Sequence, residues 1–238
     1  MSRHPAPRRP AKLVRLSRPG GEARLLAELD EVDARAYWRA VVPLTPRIER
    51  SLGPGVVANR ARGRGALATA RVEPWVPAWH RWRRKVGSVA RSGSWLVRAD
   101  VARFYGSVRE PALRTALAGD VEGVLGVLRA LWDDGVEGLP VGPEVSAILA
   151  NVVLAGADEA IRRAGGAPIR WVDDWVIRVP DRRVAGSVLL ALESALRDAG
   201  LGLNLAKTEV VAPERAGGVA REEGSAGPGS ARAMMPAQ

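Results

Sequence analysis

The chain has 238 residues, 47% of them hydrophobic, which is enough for one globular core, and its formal net charge is +10 at pH 7. It has no cysteine and only two histidines, which excludes disulfides, a thiol nucleophile, a cysteine-ligated zinc ion and a histidine metal site. No apolar run reaches the roughly 20 residues of a membrane span, and no apolar segment follows the basic N-terminus, so we expect a cytoplasmic protein that contacts no membrane.

The positive charge is concentrated in the first third of the chain. Residues 1–24 carry a net charge of +6 and residues 60–91 carry +8, whereas residues 25–59 and 92–238 total −1 and −3. A basic surface can serve solubility alone, and that interpretation stays open. The uneven placement favours another interpretation, in which one lobe binds nucleic acid or nucleotide phosphates while carboxylates act in a second lobe.

The N-terminal part of the sequence predicts a disordered arm followed by helix. Residues 1–22 are rich in Pro, Arg and Gly without periodicity and predict a disordered basic arm. Apolar positions at helical spacing predict helix over residues 23–52, interrupted by Pro43 and Pro46. Residues 53–70 form a Gly/Arg-rich connection, which we expect to be a loop or short hairpin over phosphate.

A tryptophan stripe with basic neighbours follows this connection. The aromatic positions recur at helical spacing: Trp75, Trp79 and Trp82. Basic side chains fill the gaps and are the candidates for contacts with nucleic acid: Arg81, Arg83, Arg84 and Lys85. Because helical spacing already explains the tryptophans, we interpret them as the core of a basic lobe over residues 23–94 and not as a base-stacking platform.

From residue 95 onward, strands and helices alternate in a regular order. The pattern predicts a strand over 95–99, helices over 111–117 and 121–132, a helix over 143–163, a hairpin around 169–179, a helix over 182–199 and short strands over 201–204 and 207–211. This order predicts an α+β fold, a split-βαβ, ferredoxin-like antiparallel sheet backed by helices. Beyond Ala212 the Gly/Ala/Ser/Glu-rich composition predicts a disordered tail over residues 213–238.

The hairpin carries two adjacent carboxylates. Its sequence IRWVDDWVIRV, residues 169–179, reads as two strands joined by a tight turn at Asp173 and Asp174. Aspartate is a favourable turn residue, so the pair alone has an ordinary explanation. The predicted topology, however, brings Asp173 next to Asp100, which ends the strand before it. Such carboxylates repel each other unless hard cations such as Mg²⁺ lie between them, and two such ions can activate a 3′-hydroxyl and stabilise a leaving pyrophosphate.

Four blocks of sequence in a fixed order carry a resemblance to a known family. They are LVRADVARFYGSV (96–108), GLPVGPEVSAILAN (138–151), WVDD (171–174) and GLGLNLAKT (200–208). Together they resemble the palm of prokaryotic reverse transcriptases, which are RNA-directed DNA polymerases. The resemblance extends over about residues 25–212 and implies a right-hand polymerase fold, with the palm over residues 95–212 and the fingers in the basic lobe.

The resemblance implies a two-metal site. Asp100 and Asp173 would ligate two Mg²⁺ ions, for which Mn²⁺ can substitute, and Val101 would add its backbone carbonyl. Asp174 would be a secondary acid, with a plain turn-forming role as the alternative. Lys207 would donate a proton to the leaving pyrophosphate, with a solvated lysine at a strand end as the alternative.

The resemblance also implies a nucleotide site. Tyr105 would lie against the sugar 2′ position and exclude ribonucleotides, unless it is a core tyrosine. Gly142 would let the backbone approach the nascent base pair, and Val141 stands where many relatives have glutamine. Arg60 would lie near the incoming triphosphate, with Arg62 or Arg64 as its substitute.

Two further positions would touch nucleic acid, and two would not. Pro140 would contact it from the loop over residues 138–142, and Trp171 would lie beside the primer end, where relatives have Tyr or Phe. Ser146 and Asn151 are better explained as hydrogen-bonding residues in helix packing than as catalysts.

The function implied is addition of deoxynucleotides to the 3′-hydroxyl of a DNA or RNA primer on an RNA template. The sequence after Ala212 lacks the primer-grip and thumb signatures of the family, so we expect either a protein partner that supplies a thumb or a truncated product. The alternative function is a catalytically weak nucleic-acid-binding module that kept the palm. Retroelement mobility, phage defence and diversity generation stay open as biological roles.

Overall fold

The computed structural model describes residues 8–17, 23–62 and 71–225, which form an α+β fold with two antiparallel sheets. Its first elements are β1 (Lys12–Ser17), β2 (Ala23–Glu28), α1 (Glu31–Val41), α2 (Thr45–Ser51) and α3 (Trp75–Ala90). The following elements are β3 (Trp95–Asp100), α4 (Phe104–Ser107), α5 (Glu110–Leu117), α6 (Glu122–Asp133), α7 (Glu144–Val153), α8 (Ala155–Arg163), β4 (Ala167–Trp171), β5 (Asp174–Val179), α9 (Arg182–Asp198), β6 (Glu209–Val211) and α10 (Pro213–Ser225).

Strands β1 and β2 form an antiparallel hairpin where the sequence predicted a disordered arm and a helix. They pair from Lys12↔Glu28 to Ser17↔Ala23, so both expectations are wrong over these residues. The leucines of β2 fit a helix or a strand equally well, and the alternating partner strand decides between them. Residues 1–7 and 18–22 of the predicted arm lie outside the described residues.

The hairpin is anchored near its open end. Arg8 donates to Asp33 at 2.9 Å and to Asp134 at 2.6 Å, which ties the segment before β1 to α1 and to the end of α6. The backbone N–H of Ala27 donates to the carbonyl of Val141 at 2.9 Å. These bonds hold the hairpin beside the loop between α6 and α7.

A capping aspartate and two prolines explain the boundaries of α1 and α2. Asp30 is the N-cap of α1, and its side chain accepts from the N–H of Asp33 at 2.8 Å. Pro43 lies in a 3₁₀ turn between the two helices, and Pro46 lies in the first turn of α2, so the predicted interruption is confirmed. The Gly/Arg-rich connection is described only as far as residue 62.

Helix α3 buries its tryptophan stripe against the next sheet. Trp79 and Trp82 are buried, and their rings meet the ring of Trp171 in β4 at centroid distances of 5.1 and 6.2 Å. The interpretation of these two tryptophans as core residues is confirmed. The stripe therefore packs the basic lobe against the sheet that carries the carboxylates.

The main sheet has the strand order β4-β5-β3-β6, with antiparallel pairing between all neighbours. Helices α8 and α9 pack together on the face that carries Arg170, and α3 and α10 pack together on the face that carries Trp171. The predicted α+β fold with an antiparallel sheet backed by helices is confirmed.

Several element boundaries differ from the sequence predictions. The helix expected over residues 143–163 is two helices, α7 and α8, separated at Leu154. The strand expected over residues 201–204 is reduced to an isolated bridge at Leu203, and residues 205–207 form a 3₁₀ turn before β6. These short segments are shaped by their contacts with the end of β3, which local sequence does not show.

Helix α10 occupies the first half of the predicted disordered tail. It packs against α3 and β3, and Ala216 and Val219 are buried there, so the expectation of disorder is wrong up to residue 225. Its Gly- and Ala-rich composition lacks large apolar residues, but small side chains allow a close approach to α3. Residues 226–238 lie outside the described residues, and none of the described helices is long and apolar enough to cross a membrane.

Candidate functional site

Three aspartates meet where β3 ends and the β4–β5 turn begins. The strand register places Asp100 directly opposite Asp174, and Asp173 lies in the turn just before it. Asp100 and Asp173 line one open cleft of about 390 Å³, and Asp174 lines a neighbouring pocket of about 360 Å³. The structure thus brings together the residues that the sequence predicted, which we call the acidic cluster (Asp100, Asp173 and Asp174).

The turn itself is strained. Val172, at its tip, has φ of 55°, a left-handed conformation that is rare for a β-branched residue. Such a conformation costs on the order of 1–3 kcal/mol and persists only where the surroundings enforce it. It turns the chain sharply, so that the two adjacent aspartates face different sides of the strand end.

Asp100 is held by two side chains from the segment before β6. Its Oδ1 accepts from Asn204 Nδ2 at 2.9 Å, and its Oδ2 accepts from Lys207 Nζ at 2.9 Å. The backbone N–H of Asn204 also donates to the carbonyl of Asp100 at 2.7 Å. These bonds place Lys207 beside Asp100, and Val101 pairs with Leu203 next to it.

Asn204 was missed by the sequence reasoning. An amide three residues before the candidate lysine, in the same GLGLNLAKT block, was the signal available for it. Its two contacts with Asp100 bind the segment before β6 to the end of β3, so Asn204 fixes where Lys207 can reach.

Burial and neighbouring charges shift the pKa values of two residues at the acidic cluster. Burial raises the pKa of the Asp174 carboxyl well above its usual value, and the neighbouring charges of Asp173 and Asp100 raise it further. Partial burial lowers the pKa of the Lys207 ammonium, but its hydrogen bond to Asp100 and the three carboxylate charges outweigh that effect, so its pKa is raised. The Lys207 ammonium thus lies near all three carboxyl groups of the acidic cluster.

The donor set fits a hard divalent ion, although it is not arranged as a ready cage. Among the described residues, no group of three or more acidic or histidine side chains stands in a metal-holding arrangement. Asn204 and Lys207 each donate to one oxygen of Asp100. Carboxylate and carbonyl oxygens are nevertheless the ligands that Mg²⁺ and Mn²⁺ prefer.

Tyr105 lines the cleft from α4. Only 9% of its surface is exposed, and its ring meets the ring of Phe104 edge-on at 5.6 Å. Its carbonyl accepts from the N–H of Leu139 at 2.8 Å. A Cβ at Gly138 would lie 2.1 Å from that carbonyl, so glycine is required for the loop over residues 138–142 to dock there. Tyr105 is both largely buried and part of the cleft wall.

The rest of that loop faces the β1–β2 hairpin. Val141 lines the cleft, as expected of a nucleotide-site residue. Gly142 has φ of 133°, and a Cβ there would lie 3.3 Å from the carbonyl of Ala27 in β2. The backbone of β2 therefore lies against Gly142, and the expectation that this glycine makes room for a base pair stays a prediction.

The hairpin supplies one wall of the cleft. Leu13, Leu25 and Ala27 line it, and the strand register puts Arg15 opposite Leu25 on the same face. Arg15 is exposed. The sequence reasoning missed it because the segment was predicted to be disordered.

Arg60 and Arg62 are not brought to this cleft. Arg60 donates to Glu49 at 2.7 Å and to the carbonyl of Gly53 at 3.2 Å, which engages it within the basic lobe. Arg62 pairs through its backbone N–H with the carbonyl of Arg71 at 2.7 Å. The expectation that Arg60 lies near a triphosphate is corrected for this reason.

The four basic residues of α3 fall into two pairs. Arg83 and Arg84 are exposed. Arg81 forms an ion pair with Glu73, which raises the pKa of its guanidinium, and Lys85 donates to the carbonyl of Pro54 at 3.3 Å. Arg83 and Arg84 are thus free to face a polyanion, whereas Arg81 and Lys85 also brace the lobe.

Two predicted nucleic-acid contacts are buried. Trp171 is 2% exposed and packs against the tryptophans of α3, and Pro140 is buried in its loop. Both expectations are corrected, because a residue enclosed by its own fold cannot touch a primer. The packing role expected for Ser146 and Asn151 is confirmed, since Ser146 bonds the Tyr37 hydroxyl at 3.1 Å and Asn151 donates to the carbonyl of Ala58 at 3.0 Å.

Comparisons with known proteins show a shared fold without a shared sequence family. No protein-family model matches the chain, and no curated protein matches it in sequence. Among solved structures, it is similar to an "RdRp complex" (TM-score 0.54, 14% identity, 84% of this chain and 20% of that one). It is also similar to apo telomerase from Candida tropicalis truncated from its C-terminal domain (TM-score 0.52, 12% identity, 84% of this chain and 49% of that one).

The chain matches only part of each of these two structures, and it does so at low sequence identity. The chain spans a fifth of the first structure and about half of the second. At these identities the likeness shows the fold alone: an α+β arrangement similar to the palm regions of polymerases.

Proposed function

We propose that the chain is the fingers and palm of an RNA-directed DNA polymerase, which adds deoxynucleotides to the 3′-hydroxyl of a DNA or RNA primer on an RNA template. The observation that carries the proposal is the acidic cluster, in which Asp100 and Asp174 pair across β3 and β5 and Asp173 shares a cleft with Asp100. Its polymerase-like fold supports the same reaction class.

The acidic cluster and the carbonyl of Val101 would hold two Mg²⁺ or Mn²⁺ ions. Such ions, when bound, help to deprotonate the attacking hydroxyl and neutralise the leaving pyrophosphate. The raised pKa of Lys207 keeps its ammonium protonated at neutral pH, so this side chain can give a proton to the pyrophosphate as it leaves.

The cleft walls would select the nucleotide. Tyr105 would fill the space beside the sugar 2′ position and reject a hydroxyl by steric clash. Arg15 takes the place proposed for Arg60, because its strand register puts it on the cleft face of the hairpin. An arginine there can bind triphosphate oxygens through two parallel hydrogen bonds.

Template, primer and deoxynucleotides are the ligands that this proposal requires, and a partner supplying a thumb completes it for long products. We therefore base the test on addition of one nucleotide, where retention of the duplex matters least.

A second candidate is a catalytically weak nucleic-acid-binding module. The observation that favours it is the engagement of both Asp100 oxygens by Asn204 and Lys207, together with the lack of a ready metal cage among the described residues. The two candidates differ in one measurable respect, because only the polymerase needs Asp173 for more than the fold.

The decisive experiment is single-nucleotide addition to a primer on an RNA template, with Mg²⁺ or Mn²⁺. Asp173→Asn should lower the rate by at least about 10²-fold, since a lost anionic ligand removes several kcal/mol of transition-state stabilisation. Asp198→Asn, an exposed change at the end of α9, is the matched control and should keep the wild-type rate. Equal rates for Asp173→Asn and the control would contradict the proposal, and binding of the duplex without any addition by the wild type would favour the second candidate.

A further inference from the structure

A buried charged network lies directly behind the β4–β5 turn, which we call the acidic turn because it carries Asp173 and Asp174. Arg170, at the penultimate position of β4, is 0% exposed, and its guanidinium donates to both carboxylate oxygens of Asp158 in α8 at 3.0, 3.0 and 2.8 Å. It also donates to the side-chain oxygen of Asn151 at 3.0 Å. Trp175 Nε1 donates to the same Asp158 at 2.8 Å. Asp158 therefore binds one residue on each side of the turn.

The network also holds the turn backbone itself. Arg170 Nη1 donates to the carbonyl of Val172 at 2.7 Å, and Val172 is the residue in the left-handed conformation. A donor fixed by Asp158 and Asn151 can move only slightly, so it holds that carbonyl in one direction. The orientation of the next two residues, Asp173 and Asp174, depends on that direction.

The same network reaches the basic lobe. Arg170 exchanges backbone hydrogen bonds with the connection after α2, accepting from Val57 at 3.0 Å and donating to Gly55 at 2.9 Å. Asn151 Nδ2 donates to the carbonyl of Asn59 at 3.1 Å. The position of the turn and the position of the basic connection are thus set by one rigid group of side chains.

We infer that Arg170 is a positioning residue: held by Asp158 and Asn151, it fixes the Val172 turn and so sets the affinity of the acidic cluster for divalent ions. The part concerning the turn stands on geometry alone, and the part concerning ions rests on the proposed function. Arg170 does not touch the cleft, so its effect passes through the backbone of Val172.

A plain stabilising role is the competing explanation of the network, because the loss of one partner of a buried ion pair destabilises any fold. The double variant Arg170→Met/Asp158→Asn avoids that difficulty, because it removes both charges of the network together. The new asparagine keeps an acceptor for Trp175. It removes the bonds to Asn151 and Val172. Arg170→Lys is the second variant, since a lysine keeps the charge but cannot bridge three partners at once.

The matched control is Leu128→Ala, a cavity in α6 that lowers stability without touching the network. Two properties of each variant are measured at a temperature that lies the same number of degrees below its own Tm. Hydrogen exchange of the metal-free chain over residues 168–178 reports the turn, and Mn²⁺ binding by electron paramagnetic resonance reports the acidic cluster.

We expect faster exchange in this segment for the double variant than for the control, and a Mn²⁺ dissociation constant raised by about 10- to 100-fold, as is usual when the support of metal ligands is lost. Arg170→Lys should change both in the same direction and by less. Exchange and Mn²⁺ affinity equal to those of Leu128→Ala would overturn the inference. A wild type that binds no Mn²⁺ would remove the proposed function, while the exchange data would still decide whether Arg170 fixes the turn.

Discussion

The acidic turn and the β1–β2 hairpin face the same cleft but are held in opposite ways. Behind the turn, Arg170 and Asp158 are buried and bonded on all sides. The hairpin has exposed leucines on both strands and is tied down mainly by the partly exposed ion pairs of Arg8. The difference indicates a rigid side of the cleft at the acidic cluster and an adjustable side at the hairpin, because buried networks resist movement more than partly exposed ion pairs do.

The largest effect should come from the rigid side, at Lys207. In Lys207→Ala the ammonium no longer competes for Asp100, so we expect tighter Mn²⁺ binding, together with nucleotide addition about 10²-fold slower through loss of the proton donor. Lys207→Arg is the control: it keeps the ion pair but cannot give up its proton, so only the rate should fall. Mn²⁺ titration and single-turnover addition measure the two effects, and a rate unchanged in both variants would exclude Lys207 as the acid.

The next effect concerns Tyr105, where the two sides of the cleft meet. Tyr105→Val should raise ribonucleotide insertion relative to deoxynucleotide insertion by about 10- to 200-fold, since the clash with the 2′-hydroxyl is removed. Phe104→Leu, a change to its buried ring neighbour, is the control for loss of packing. The ratio of kcat/KM for the two sugars decides the question, and an unchanged ratio in a folded Tyr105→Val chain would leave Tyr105 as a core residue only.

The four basic residues of α3 should affect RNA binding as two separate pairs. Replacing Arg83 and Arg84 with alanine should flatten the logarithmic salt dependence of RNA binding by about 1–2, because each lost phosphate contact contributes about 0.7–0.9. Replacing Arg81 and Lys85 should lower Tm and change the slope less, since these side chains already bond the protein. Equal slopes for the two double variants would show that the exposed pair does not face nucleic acid.

The raised pKa of Asp174 predicts a stability effect on the rigid side. A carboxyl whose pKa is higher in the folded chain than in the unfolded chain stabilises the fold below the unfolded pKa and loses that contribution as pH rises towards the folded pKa. The metal-free chain should therefore be less stable at neutral pH than the same chain in which Asp174→Asn removes the charge. Thermal unfolding at pH 4 and pH 7.5 in chelator tests this, and a lower Tm for the variant at pH 7.5 would contradict the pKa direction.

The smallest effect should come from the adjustable side. Arg8→Ala should raise the KM for nucleotide by a few-fold with little change in kcat, because the partly exposed Arg8 ion pairs hold the segment before the hairpin and do not touch the acidic cluster. Arg35→Ala, which removes an exposed ion pair within α1, is the control. High salt should reduce the difference between wild type and Arg8→Ala, and an effect on kcat alone would mean that the hairpin does not position the substrate.

The rigid side could be predicted from sequence much further than the adjustable side. Asp100 and Asp173 stand in blocks whose strands can be recognised from the sequence, so the pairing of β3 with β5 brings them together, whereas Lys207 is placed by a 3₁₀ turn before β6. The β1–β2 hairpin could not be predicted, because its pairing depends on partner strands separated by residues without periodicity. Trp171 was misplaced for a related reason: an aromatic beside the catalytic turn reads equally as a surface or a core residue until Trp79 packs on it.

Helix α10 restricts how the molecule can move. It packs against α3 of the basic lobe and against β3 of the main sheet, and so spans both sides of any hinge that could open between them. A brace of this kind limits rotation of the basic lobe against the sheet, so any opening of the cleft would fall to the hairpin, whose ion pairs are partly exposed. Substrate entry and product exit would then be local movements, fast and inexpensive in free energy, while the catalytic geometry stays assembled between turnovers.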